Sequence, residues 1–293
     1  MTKRKLLQAY PFGATLVMAA LFLVLMAPVK GAPPSAITFT TIDFPGSTSS
    51  DVEGINAGGQ MVGTYADATG RLHGFLLDKG TFTTIDFPGA TTFTEPIGIN
   101  SRGQISGIYD SGGTQHGFLL NQGTFSTIDP PGSTFTQAVG INDSGQVVGR
   151  YLNGSGSFHG FVLDHGSYTT FDVPGATQTD GTGINSAGEI TGDYVDSLGN
   201  THGFLLNKGV FSAIDVPGAA ATQAFGIDSP GQIVGSSFDA AGTPHGFLRD
   251  KSGFTTIDVP GALQTFAFGI NPSGHIVGSY EKADGTFHGF VAQ

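Results

Sequence analysis

Apolar and β-branched residues occur along this chain in short runs of about six positions, separated by clusters of glycine, asparagine, aspartate and serine. Such runs are typical of β-strands, and the residues between them are those that turns require. No helical period of 3.6 residues appears after the first thirty-odd positions. One unit of the pattern predicts four strands, a to d. They are a strand that ends at Gly54-Ile55-Asn56, then Gln60–Tyr65, His73–Leu77 and Phe82–Phe87.

This unit recurs six times with a period of 43 residues. The histidines of its His-Gly-Phe motif are His73, His116, His159, His202, His245 and His288. The aspartates that precede its Pro-Gly turn are Asp43, Asp86, Asp129, Asp172, Asp215 and Asp258. The Gly-Ile-Asn motif repeats with spacings of 42 to 44 residues. Four strands in about 40–50 residues are typical of one blade of a β-propeller.

The two ends of the repeat region complement each other. It begins with a spare d strand, Phe39–Gly46, and ends just after a c strand, His288–Gln293. A solenoid would need capping units, and a transmembrane barrel would need strands of about 9–11 residues. The sequence therefore predicts an all-β, six-bladed β-propeller over residues 37–293, with four antiparallel strands per blade. The N-terminal strand is expected to complete the C-terminal blade and close the ring.

The start of the chain differs from the repeats and predicts a signal peptide over residues 1–36. Basic residues at positions 3–5 precede an apolar run over positions 14–28, and small residues follow it. Cleavage after Gly31 is the first choice and cleavage after Ala36 the second. The alternative is an uncleaved membrane anchor, although the run is shorter than the ~20 residues that a spanning helix needs. Both interpretations place the repeats outside the cytoplasm, either secreted or in the periplasm.

Charge separates this leader from the repeats. The chain has 12 basic and 23 acidic residues, and four of the basic ones precede Ile37, which leaves a net charge of −15 in the repeats. Nucleic acids and anionic membranes bind clustered lysine and arginine, so we expect no nucleic-acid partner and no membrane contact beyond the signal peptide. The absence of cysteine excludes disulfides and thiolate metal sites. We expect a monomer.

The repeated motifs resemble those of a known family. The pattern Gly-Ile-Asn-x-x-Gly-Gln-Ile-Val-Gly-x-Tyr, followed by His-Gly-Phe-Leu, is similar to the HAF family of extracellular repeats. The resemblance covers the whole chain after the predicted signal peptide. The family is named for a His-Ala-Phe motif, whereas the middle residue here is glycine in all six units. The resemblance implies an exported bacterial repeat protein and carries over no catalytic residues.

The six repeated histidines suggest a metal site, but geometry opposes it. Equivalent atoms in adjacent blades of a six-fold ring are as far apart as their distance from the axis, and strand c lies about 10 Å outside strand a. Zinc ligands must all lie within about 2 Å of one ion. We therefore predict no metal and no cofactor. The repeated histidines and aspartates are expected to be structural, in buried His–Asp hydrogen bonds resembling those of WD-repeat propellers.

Residues that differ between the repeats are the candidates for ligand binding. The strand order places the b–c and d–a loops on one face, here called the loop face, and function concentrates on variable loops. The predicted ligand-binding residues in the d–a loops are Asp51, Glu53, Phe93, Glu95, Phe135, Asp180 and Phe266. The tyrosines that end strand b are predicted to join them, namely Tyr65, Tyr109, Tyr151, Tyr194 and Tyr280. Aromatic rings beside carboxylates are typical of carbohydrate sites, whereas the alternative is that the tyrosines seal the blade edges.

No nucleophile elbow, phosphate loop or dinucleotide fingerprint occurs in a fitting context. The sequence therefore predicts an exported, non-catalytic binding module for an extracellular glycan or a protein partner. One alternative is a polysaccharide hydrolase or lyase at the channel mouth, with the acidic residues Asp51, Glu53, Glu95 and Asp180. Another is a purely structural surface protein. Arg150 and Asp193 stand where other repeats have Thr, Ile or Ser, and drift at exposed strand positions is expected to explain them.

Overall fold

The computed structural model describes residues 37–293, which form only strands, turns and connecting segments. The predicted signal peptide, residues 1–36, lies outside the described residues. Within the described part, no helix has the length and apolarity that crossing a membrane requires. The 24 strands form six antiparallel sheets of four strands each.

The first strand, β1 (Phe39–Ile42), belongs to the last blade. Blade 1 contains β2 (Ser49–Ile55), β3 (Met61–Ala66), β4 (Leu72–Asp78) and β5 (Thr81–Ile85). Blade 2 contains β6 (Thr94–Ile99), β7 (Ile105–Ser111), β8 (Thr114–Asn121) and β9 (Thr124–Ile128). Blade 3 contains β10 (Ser133–Ile141), β11 (Val147–Asn153), β12 (Phe158–Asp164) and β13 (Ser167–Phe171).

The remaining strands repeat the same order. Blade 4 contains β14 (Gln178–Ile184), β15 (Ile190–Val195), β16 (Thr201–Asn207) and β17 (Val210–Ile214). Blade 5 contains β18 (Ala221–Ile227), β19 (Ile233–Phe238), β20 (Pro244–Asp250) and β21 (Gly253–Ile257). Blade 6 contains β22 (Gln264–Ile270), β23 (Ile276–Glu281) and β24 (Phe287–Ala292), and β1 is its fourth strand.

The ring closes where β1 pairs with β24. The pairing is antiparallel and runs from Phe39 opposite Ala292 to Ile42 opposite Gly289. The spare strand at one end of the chain therefore fills the gap at the other end, which removes an open sheet edge that would template aggregation. The prediction of a six-bladed β-propeller with four antiparallel strands per blade is confirmed.

The phenylalanine of each His-Gly-Phe motif lies at the centre of its blade's apolar packing. These six side chains are at most 1% exposed, and they are Phe75, Phe118, Phe161, Phe204, Phe247 and Phe290. The neighbouring strand must approach closely, because a Cβ on Gly63 would collide with the carbonyl oxygen of Asp51 and lie 3.0 Å from the Phe75 ring. Burying one such ring contributes roughly 1.5–3 kcal/mol, so the motif supplies much of the stability.

The Gly-Ile-Asn motif links each blade to the next on the face opposite the loop face. Asn56 Oδ1 accepts hydrogen bonds from the backbone N–H groups of Gly58 and Gln60, which holds the a–b turn. Its Nδ2 donates to the carbonyl oxygen of Asn100 in blade 2, at 3.0 Å. Equivalent interblade bonds start from Asn100, Asn142, Asn185 and Asn271. In blade 5 the residue is Asp228, whose buried Oδ2 has no hydrogen-bond partner.

Candidate functional site

A histidine on strand c and an aspartate after strand d form a hydrogen bond in every blade. The distances from Nδ1 to the nearest carboxylate oxygen are 2.8–3.0 Å. The pairs are His73–Asp86, His116–Asp129, His159–Asp172, His202–Asp215, His245–Asp258 and His288–Asp43. The predicted bonds are therefore present, but their predicted burial is wrong, because the aspartate side chains are 32–50% exposed. Exposed pairs of this kind contribute about 0.2–1 kcal/mol each.

The tyrosines that end strand b pack into this histidine layer. The Tyr65 ring stacks on Phe44 with centroids 3.7 Å apart and on His73 with centroids 5.2 Å apart. Its hydroxyl group hydrogen-bonds Thr84 Oγ1 on the outer strand. The other four tyrosines also contact the histidine of their own blade. Tyr109 and Tyr194 stack on it, whereas Tyr151 and Tyr280 are tilted against it. The structure therefore engages these rings in the scaffold, as the blade-sealing alternative describes.

The predicted loop residues lie mostly in the innermost strands, which corrects their placement in d–a loops. Asp51 and Glu53 lie in β2, Glu95 in β6, Phe135 in β10, Asp180 in β14 and Phe266 in β22, while Phe93 precedes β6 and bridges to Leu72. Asp51, Asp180 and Phe266 are only 3–5% exposed. Strand a begins several residues earlier than its polar sequence suggests, because residues such as Ser50 pair with strand b. These three side chains therefore face packed surfaces, whereas Glu53, Phe93, Glu95 and Phe135 are half-buried.

Asp180 belongs to a buried polar cluster that joins blades 3 and 4. Arg150 Nη1 lies 2.5 Å from Asp180 Oδ2, and Arg150 Nε donates to Gln137 Oε1 at 2.7 Å. Asp193 lies opposite Asp180 in the pairing of β14 with β15, and the two residues are 3% and 4% exposed. Burial, together with the negative charge of Asp180, raises the pKa of Asp193 to about 8, although Arg150 and Gln223 act in the opposite direction.

The expectation that Arg150 and Asp193 mark drift at exposed positions is wrong, because both take part in this cluster. A signal was present in the sequence, since two opposite charges exactly one repeat apart, at positions 150 and 193, replace uncharged residues. A protonated carboxyl beside an ionised one is an arrangement that hydrolases use. Here, however, both carboxyls are enclosed between blades. The cluster is suited to holding blades together more than to meeting a polymer.

Two open clefts occupy equivalent positions on the loop face. The larger, about 320 Å³, is lined by Thr201, His202, Asp215 and the loop 216–222. The smaller, about 220 Å³, is lined by His288 and the segment 43–49. They are called the blade 4 cleft and the blade 6 cleft below. Each combines a His–Asp pair with small side chains and a Pro-Gly turn, so hydrogen-bonding groups lie beside apolar surface. The larger volume lies at the low end of the ~300–1,000 Å³ typical of ligand sites and the smaller one below it, so each cleft suits at most a small unit of a ligand.

Among residues 37–293, no group of three or more histidines and carboxylates is placed to hold a metal ion. No protein-family model matches the chain, and no curated protein matches it either.

Solved structures show the same fold at low sequence identity. The lectin of Aleuria aurantia, described as a six-bladed β-propeller with fucose recognition, has a TM-score of 0.52 and 14% identity, and the match covers 86% of this chain and 93% of the lectin. TolB of Acinetobacter baumannii has a TM-score of 0.52 and 14% identity, and the match covers 84% of this chain and 54% of TolB. This chain therefore spans about half the length of TolB. A structural-genomics protein of Bacteroides thetaiotaomicron has a TM-score of 0.51 and 13% identity, covering 88% of this chain and 76% of that protein. The class defined by these comparisons is the β-propeller fold.

Proposed function

We propose that this protein is an exported, non-catalytic binding module for extracellular glycans. The observation that carries the proposal is the recurrence of an open cleft with a His–Asp pair at equivalent positions of blades 4 and 6. A rigid ring that presents related clefts is suited to a ligand that repeats its own units. Once one unit of such a ligand is bound, the next unit has a high effective concentration at the second cleft, so several weak contacts give a higher overall affinity.

Two further observations support parts of this proposal. A lectin of the same fold is described with fucose recognition, which makes a sugar the first ligand class to test. The basic and apolar start of the chain supports export to the periplasm or the medium. A protein partner is the alternative ligand, because the same loop face is available to it.

A polysaccharide hydrolase or lyase is the second candidate. One observation favours it, namely the raised pKa of Asp193 next to the charge of Asp180. We rank it second because these residues are at most 4% exposed, whereas both clefts are open to solvent. A general acid must lie within hydrogen-bond reach of the substrate, and this burial leaves no such approach.

A glycan array with the purified full chain tests the proposed function. We expect retention of a group of related glycans, competed by the free sugar and unchanged after long incubation. Release of shortened products from the same glycans would instead support the hydrolase. An array without retained glycans, together with capture of one defined protein partner, would contradict glycan binding. Fractionation of expressing cells tests export, and a full-length cytoplasmic chain would contradict it.

A further inference from the structure

One junction on the loop face departs from the repeat at the end of strand b. In blade 1, the ring of Phe44 stacks on Tyr65 at a centroid distance of 3.7 Å. Ser237 takes the place of this tyrosine in blade 5, whereas the other five blades have tyrosine. Val216 takes the place of Phe44 at the same junction, as valine also does before blades 4 and 6. His245, opposite Ser237 in the sheet, is accordingly 40% exposed, the highest value among the six repeated histidines.

The missing tyrosine ring adjoins the larger of the two clefts. Ser237 lies directly opposite Thr222 in the pairing of β18 with β19, and Thr222 lines the blade 4 cleft. In the blade 6 cleft the corresponding wall contains Phe44 in place of Val216. The smaller side chain agrees with the larger volume, about 320 Å³ against about 220 Å³. Of the two clefts, the larger is therefore the one that adjoins a blade without the strand-b tyrosine.

The blade 4 cleft also has an apolar wall. Three consecutive alanines, residues 219–221, line the cleft together with Val216. Apolar side chains next to a few polar groups are the usual composition of a small-ligand site.

Charge restricts the chemistry of the ligand. The lining contains Asp215, whose side chain is 50% exposed, and it contains no lysine or arginine. Asp196 lies nearby, with its carboxylate 3.5 Å from His202 Nε2. Hydrogen bonds, led by that from the Asn200 side chain, lower the pKa of Asp196 to about 2, so this carboxylate is ionised throughout the physiological range. Ionised carboxylates accept hydrogen bonds from hydroxyl groups and repel anions.

We propose that the blade 4 cleft is the principal carbohydrate site and that it binds one neutral sugar unit of a glycan. Sugar hydroxyls donate to Asp215, and the apolar side of the ring lies against Val216 and the three alanines. Uronic and sialic acids are rejected by the two carboxylates. This inference rests on the proposed glycan-binding function and adds its location and its charge preference.

Ligand-observed NMR titration of the full chain tests the location. The neutral probes are the methyl glycosides of glucose, galactose and fucose, and the acidic probe is glucuronate. We expect a neutral probe to bind and glucuronate not to bind. Ala220→Arg places a long cation in the blade 4 cleft and is expected to weaken neutral binding about tenfold or more. Thr48→Arg, at the equivalent position of the blade 6 cleft, is the matched control and should change the affinity less than about twofold.

The outcomes separate this inference from the proposed function. Three results would contradict the assignment of the sugar site to the blade 4 cleft: both variants weaken binding equally, neither variant weakens it, or glucuronate binds better than the neutral probes. Each of these results would still leave a sugar-binding protein. If the unmodified chain binds no NMR probe and retains no glycan on the array, both this inference and the proposed function are wrong. If Ala220→Arg lowers the unfolding temperature, Ser237→Tyr replaces it, because this change restores the side chain of the other blades. It should also weaken neutral binding, and unchanged affinity would overturn the inference.

Discussion

The outer strands carry the same half-exposed His–Asp pair six times, whereas the inner strands of blades 3 and 4 carry one buried cluster of Arg150, Asp180 and Asp193. Water screens the outer pairs, so each one contributes little. A charge left without its partner in the inner cluster would cost several kcal/mol. Among these charged groups, the repeated pairs therefore tolerate change, whereas one substitution can disrupt the cluster that occurs once.

Opening the ring is expected to have the largest effect, because it acts on every blade at once. Deleting residues 37–46 removes β1, its pairing with β24 and the bond between His288 and Asp43. The exposed edge of β24 should then cause aggregation and loss of cooperative unfolding, measured by calorimetry and light scattering. Asp43→Ala is the control, since it removes only the hydrogen bond. An unfolding temperature near that of the unmodified chain would show that β1 does not hold the ring closed.

Removing the cation from the inner cluster comes next. Arg150→Met keeps an apolar side chain of similar length but removes the counter-ion of the Asp180 carboxylate. The Oδ1 atom of this carboxylate already has no hydrogen-bond partner. We expect the free energy of unfolding to fall by about 3 kcal/mol, measured by urea unfolding. For a chain of this size that corresponds to a decrease of roughly 6–12 °C in the unfolding temperature. Arg71→Met, in an exposed b–c loop, should have almost no effect, and equal losses would contradict the comparison.

The raised pKa of Asp193 predicts a dependence on pH. The value of about 8 in the folded chain lies above the ordinary 3.8, so stability from this group is complete below about pH 4 and is lost as pH rises toward 8. Asp193→Asn cannot ionise, and we expect it to exceed the unmodified chain by more than about 1 kcal/mol at pH 8 and to match it at pH 4. Urea unfolding at both pH values measures this.

The partner in the same pair gives the matched control. Asp180→Asn should destabilise the chain at both pH values, because Arg150 then loses its counter-ion. A parallel decrease in stability with pH for the unmodified chain and for Asp193→Asn would refute the assignment of the pH dependence to Asp193.

The repeated outer layer should respond more weakly. His73→Ala removes the bond to Asp86 and the ring contact with Tyr65, and we expect a loss of about 1–2 kcal/mol. His245→Ala removes the equivalent bond in the blade that has Ser237 in place of tyrosine, and a loss of about 0.5–1 kcal/mol is expected. Thermal unfolding of the two variants measures the difference. Equal losses would mean that the tyrosine ring contributes nothing to this layer.

The smallest expected effect is a gain. Asp228→Asn supplies the missing amide donor to the carbonyl oxygen of Asn271, so that all six blades have the interblade hydrogen bond. We expect the free energy of unfolding to rise by about 1 kcal/mol. Burial raises the pKa of Asp228, so the gain should be larger at neutral pH than in acid, where the carboxyl is protonated. Asn185→Asp, which removes a donor from the neighbouring blade, should destabilise by a similar amount. A neutral or destabilising Asp228→Asn, measured by urea unfolding, would contradict this account.

The sequence predicted the repeated His–Asp bonds and missed the buried start of strand a. The His–Asp bonds followed from two motifs with the same period, since a contact made in every blade keeps a constant spacing. The burial of Ser50 and Asp51 did not follow, because a polar run before strand a is typical of a loop. Ser50 pairs with Tyr65 of strand b, and its Oγ accepts a hydrogen bond from the Phe44 backbone N–H. That donor is supplied only once the preceding loop has folded against the blade.

The sequence by itself determined the number of blades, the strand order and the closure of the ring, because each depends on periodicity and on complementary chain ends. Only the tertiary structure decided that Arg150 meets Asp180 across two blades, that the tyrosine rings are covered, and that Val216 and Ser237 adjoin one cleft. These contacts join residues of different repeats or opposite sides of a loop. Their energies depend on burial and distance, which a one-dimensional pattern of repeats does not contain.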